Sequence, residues 1–81
     1  MKRTHVVDVA AYLQAQGAIT AGDVARIGRL LENGDPVAWD LVIASREAHY
    51  YHGDRPLRST VEGRQVLALL AQLQAELQEA R

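Results

Sequence analysis

Apolar residues recur along most of this chain at steps of three and four, the spacing of one face of an α-helix, and no stretch shows the alternation of a strand. Four helices are predicted. Thr4 caps a first helix of about 12 residues in which Val6, Val9, Ala10 and Leu13 share a face, and Gly17 ends it. Thr20 followed three residues on by Asp23 resembles a capping box and opens a second helix, with Val24, Ile27, Leu30 and Leu31 facing inward. That helix stops at Asn33 and Gly34. Asp35 and Pro36 then begin the third at once, so Asn33-Gly34-Asp35-Pro36 is a corner and not a linker, and the two helices pack at a fixed angle.

The third helix, capped by Asp35 and stopped at Gly53, carries the only Trp, two of the three Tyr and two of the three His. At 100° per residue, Val37, Leu41, Ala44, Ala48 and Tyr51 form one stripe, and Trp39, Ile43 and Tyr50 a second, roughly 140° away. Asp40 and Glu47 lie between the stripes on one edge. A helix with two apolar stripes is covered twice, by its own chain, by a partner or by both.

After an irregular connection, Ser59 and Glu62 make a capping box for a last helix. There Val66, Leu70, Leu73, Leu77 and Ala80 alternate in steps of four and three, widened by Leu67 and Leu69. At some 20 residues it spans roughly 30 Å, against roughly 20 Å for the first two helices, so either part of it projects and exposes Leu73 and Leu77 as an apolar interface strip, or the early helices cross at an angle and cover them.

Composition narrows the class. Cysteine is absent, which removes disulfides and thiolate chemistry, and 48% hydrophobic content argues for a folded domain. No run of 18 apolar residues is present, and Asp8 breaks the apolar stretch after Lys2 and Arg3, so neither a membrane span nor a signal peptide is expected and the default location is cytoplasmic. A net charge of −1 offers no global attraction for nucleic acid. His49 and His52 with Asp54 have a spacing that zinc could use, but histidines at a helix C-terminus are favoured by the dipole alone, and no metal or other cofactor is expected. Arg55, Arg58 and Arg64 beside the start of the last helix could meet an anion or an acidic protein surface; paired with Asp54 and Glu62 they would be ordinary surface charge. Ser45 and Ser59 have no His and acid at a triad spacing, and no Gly-rich phosphate loop occurs, so no enzyme is expected.

Two local resemblances bear on function. Thr20 to Ile27, reading TAGDVARI, resembles the first helix of the helix-turn-helix of LacI-type regulators. Here the helix runs on through Arg29, Leu30 and Leu31, and the corresponding recognition segment, Pro36 to Ala44, lacks the Arg, Lys, Asn or Gln that read base edges. Tyr50, Tyr51, Asp54, Pro56, Ser59, Glu62, Val66, Leu70 and Leu73 are similar in spacing to the helical hairpin of the N-terminal domain of bacterial NAD-dependent DNA ligases, which helps bind the nicotinamide half of NAD. Thr60, Gly63 and Arg64 stand where that family has Asp, Tyr and Asp, so the resemblance implies a hairpin geometry without ligase activity.

The expectation is an all-α, single four-helix domain over residues 1–81: a helix-corner-helix followed by a long helical hairpin. Its expected function is protein binding, as a small bacterial or phage-type adaptor, inhibitor or homodimer, through Trp39, Tyr50, Arg55, Arg58, Leu73 and Leu77. The alternative is a helix-turn-helix DNA-binding regulator.

Overall fold

A computed structural model describes residues 2–79, with side-chain surroundings for residues 9–76. Four helices follow one another: α1 (Lys2–Ala15), α2 (Ala21–Glu32), α3 (Pro36–His52) and α4 (Val61–Glu79), with a single 3-10 turn at Leu57–Ser59 before the last. No strand occurs among the described residues, and the domain is all-α as expected.

Local chemistry accounts for most of the boundaries. At the start of α2 the Asp23 N–H donates to Thr20 Oγ1 at 3.2 Å, and the Thr20 N–H donates to Asp23 Oδ2 at 3.1 Å, so the capping box is complete with the shorter acid. Asp35 builds the corner from both sides. Its N–H donates to the Leu30 carbonyl at 2.9 Å, closing α2, while its Oδ1 accepts the Ala38 N–H at 3.0 Å and caps α3. Gly34 between them has φ +76°, a conformation that costs a residue with a side chain about 1 kcal/mol or more. A hydrogen bond from Glu76 on α4, followed by that of Ala38, holds the Asp35 carboxyl below its ordinary range. Gly53, at φ +60°, ends α3 at the expected place.

Two boundaries differ from expectation. Thr4 lies inside α1, which begins at Lys2. The box at Ser59 and Glu62 does not form; the cap of α4 is Thr60, whose Oγ1 accepts the Gly63 N–H at 2.9 Å, while Ser59 Oγ donates to the Pro56 carbonyl at 2.7 Å. The cause is Gly63. Its Cα faces the backbone of Leu57, where a Cβ would collide with the Leu57 carbonyl, so the 3-10 turn packs against α4 and the cap moves one residue along.

The core joins Leu13, Ile27, Leu31, Leu41, Leu57, Val66, Leu70 and Leu73 in one cluster. Leu73 has no exposed surface, which corrects the expectation that it belongs to a projecting strip. A helix of 19 residues is roughly 28 Å long, whereas the longest dimension of the molecule is 33 Å, so α4 lies along the body and its Leu73 face is covered by the chain itself. The side chain of Leu77 and all of Ala80 fall outside the described residues. No helix among the described residues is long and apolar enough to cross a membrane.

Helix α3 is covered on one broad face only. Ala38, Leu41, Val42, Ala44, Ser45 and Ala48 are buried, so Val42, Ser45 and Ala38 join Leu41, Ala44 and Ala48 to widen the first stripe, whereas Tyr51, placed on it by periodicity, is exposed. The second stripe is left uncovered. Alanine and serine at four of these six positions are small enough for α1 and α4 to approach closely, and a single broad contact face thus takes the place of two separate ones.

Candidate functional site

The uncovered side of α3 presents Trp39, Ile43 and Tyr50 at 41%, 53% and 83% exposure, with Arg46 continuing the row between Ile43 and Tyr50. Isolated exposed apolar residues are unremarkable on a protein surface, whereas a row of them along one helix, rich in aromatic side chains, is a candidate contact surface. Trp39 answers the question its spacing raised by doing two things. Its Nε1 donates to the Leu31 carbonyl at 3.1 Å, which fixes the indole over the end of α2, while the rest of the ring remains at the surface. A held aromatic loses little side-chain freedom on binding, which is how such residues come to dominate interfaces.

Beside the row, α1 and α3 enclose an open groove of ≈ 500 Å³ whose walls include Val9 and Tyr12 from α1 and Ile43, His49 and Tyr50 from α3. The Tyr12 and His49 rings lie 4.9 Å apart at a tilt, and Tyr50 meets Tyr51 edge to face at 5.1 Å. Burial, and then the Asp54 carboxylate, push the Tyr12 hydroxyl above its ordinary range, so it stays a neutral donor. Ser45 also borders the groove. It is wholly buried, and its hydroxyl has no hydrogen-bond partner among the described residues.

The charged positions sort differently from the sequence pairing. His52 Nε2 and Glu62 Oε1 are 2.6 Å apart and tie the end of α3 to the start of α4, and no described arginine pairs with Glu62. His49 lies 3.9 Å from the Asp54 carboxylate. The two imidazoles thus serve different partners, and no group of three or more potential ligands is arranged around a metal position among the described residues. Arg64 Nη1 donates to the Arg58 carbonyl at 3.3 Å. The guanidinium groups of Arg55 and Arg58 are exposed and make no hydrogen bond or ion pair with a described residue.

Of the residues singled out by sequence, Trp39 and Tyr50 therefore share one face, Arg55 and Arg58 lie in the turn beyond its Tyr50 end, and Leu73 is in the core. Ile43 and Arg46 are exposed on the same face and were missing from that set. Ile43 was legible four residues after Trp39, but a charged residue at the next helical step hides Arg46 from a search for apolar positions. No protein-family model, curated protein or solved structure matches this chain.

Proposed function

We propose that this chain is a non-enzymatic protein-binding module, an adaptor, inhibitor or self-associating accessory protein, and that it binds through the exposed face of α3. The observation that carries this reading is the row of Trp39, Ile43 and Tyr50 left at the surface, outside the core cluster formed by the described residues. Aromatic residues and Arg are the types that interfaces enrich, and Arg46 within the row with Arg55 and Arg58 beyond it add that component.

A DNA-binding role has less support. The exposed face of α3 carries Asp40 and Glu47 along one edge, and Arg46 is the single Arg or Lys of that helix.

The test is affinity purification of the tagged chain beside its Ile43→Asp variant. Ile43 is half exposed, so the variant should keep its helical circular dichroism and melting temperature, yet lose a stoichiometric partner that the parent holds, whether another protein or itself. Equal recovery by both chains would exclude this face.

A further inference from the structure

We propose that the groove between α1 and α3 is a binding site for a small aromatic carboxylate, its ring held against Tyr50 and its carboxylate met by Arg46 and the Tyr12 hydroxyl. The groove has the size for such a ligand. Its volume of ≈ 500 Å³ falls within the range of pockets that take small organic molecules, roughly 300–1,000 Å³. Val9, Ile43 and Tyr50 supply apolar wall, and a few polar groups stand among them, which is the usual make-up of a small-molecule site.

Tyr12 supplies the first polar contact. The residue is 8% exposed, it borders the groove, and its hydroxyl makes no hydrogen bond to a described residue. A buried tyrosine hydroxyl ordinarily has a partner, because an unmet buried donor costs more than a typical hydrogen bond returns. Burial keeps this hydroxyl protonated, so it offers a proton to an incoming acceptor. Its ring packs on that of His49 at 4.9 Å and is positioned before a ligand arrives, which lowers the cost of binding. Ser45, in the same wall, carries a second unbonded hydroxyl, but that oxygen is closed to water and takes no part in the contact.

Arg46 decides the charge of the ligand. It borders the groove, and its guanidinium makes no hydrogen bond or ion pair with a described residue. His49, by its contact with Tyr12, marks the side of α3 that faces α1; at 100° per residue Arg46 stands roughly 60° from His49 and Glu47 roughly 160°. The cation is therefore on the Tyr12 side of the groove and Glu47 at its far rim. The other nearby acid, Asp54, lies 3.9 Å from His49 with its side chain 98% exposed, where water and salt screen it. A guanidinium and a phenolic hydroxyl are both donors, and together they suit the oxygens of one carboxylate. The aromatic part of the ligand follows from Tyr50, exposed and packed edge to face with Tyr51 at 5.1 Å, which presents a ring for stacking.

Heteronuclear NMR of the whole chain, titrated with benzoate and with 3-phenylpropionate, tests the site, and 3-phenylpropylamine is the probe of opposite charge. The acids should give saturable amide shifts at Tyr12, Arg46 and His49 with a dissociation constant of about 1 mM, the strength that molecules of so few atoms reach, and the amine should bind at least about tenfold more weakly. Arg46→Gln should remove the preference for acid over amine. Tyr12→Phe, which deletes one oxygen, should weaken the acids by about five- to tenfold, and Ser45→Ala should bind them as the parent does. The Trp39 indole, held over the end of α2, should not shift. Should Tyr12→Phe disturb the fold, Arg46→Gln at the surface decides the matter. No saturable shift with either acid, equal affinity for the amine, or a loss in Ser45→Ala as large as that in Tyr12→Phe would each overturn the proposal. Loss of a protein partner on Ile43→Asp bears on the exposed row, whereas these titrations bear on the groove.

Discussion

The side-chain amide of Gln16 closes on the backbone of Leu57: its Oε1 accepts the Leu57 N–H at 3.2 Å, while its Nε2 donates to the Asp54 and Arg55 carbonyls at 3.2 and 3.0 Å. One side chain from the end of α1 thereby satisfies three polar groups of the connection between α3 and α4, about 40 residues away in sequence. It stands where a helical segment would use its own ladder. Gln16→Ala should cost about 1–2 kcal/mol, because it leaves a partly buried Leu57 N–H without an acceptor, and should lower the melting temperature by roughly 5–10 °C. Gln16→Glu should recover little of this, since it keeps the acceptor but turns a carboxylate toward two carbonyls. Thermal unfolding of the three chains decides it, and a Gln16→Ala variant as stable as the parent would remove the clasp from the energetics.

Two helical glycines should respond in opposite directions to the same substitution. At Gly63 a Cβ meets the Leu57 backbone, which cannot turn aside as a side chain could, so Gly63→Ala should destabilise by about 3 kcal/mol or more. At Gly28, within α2, a Cβ meets nothing within 4 Å, and Gly28→Ala should stabilise by about 1 kcal/mol through helix propensity. Urea unfolding of both variants measures the contrast; equal signs would show that the 3-10 turn yields.

The pair between His52 and Glu62 makes stability depend on pH in a defined direction. The hydrogen bond from His52 holds the Glu62 carboxyl below its ordinary value of 4.5. A carboxyl depressed in the folded state contributes its stability above that ordinary value and loses it as pH falls from there through the folded pKa. Glu62→Gln removes this titration. The parent should therefore lose more stability than Glu62→Gln between about pH 6 and about pH 3, measured by denaturant midpoints, and parallel losses would count against the pair.

Ser45 is wholly buried in α3 with its hydroxyl unbonded to any described residue. Ser45→Ala removes that polar atom at nearly constant volume, so it should leave stability unchanged or raise it by about 1 kcal/mol. Calorimetry of the single variant is sufficient, and a marked loss would reveal a bond that the hydroxyl makes in solution.

The amino-acid sequence by itself determined the helices and most of their ends, because these follow from interactions within a few residues. Thr20 with Asp23, Asp35 before Pro36, and glycines at positions 34 and 53 act locally, and each does in the structure what its position implies. The Ser59 box failed for a tertiary reason. Gly63 had to touch Leu57, and the contact moved the cap to Thr60. Tertiary structure likewise decided which apolar positions are core. Periodicity placed Leu73 and Trp39 each on an apolar stripe, yet Leu73 is enclosed and Trp39 is held half open by the Leu31 carbonyl. A stripe states only that a surface seeks cover. Whether the chain itself supplies that cover depends on how helices far apart in sequence pack, and here small residues on α3 drew α1 and α4 to one face and left Trp39, Ile43 and Tyr50 on the other.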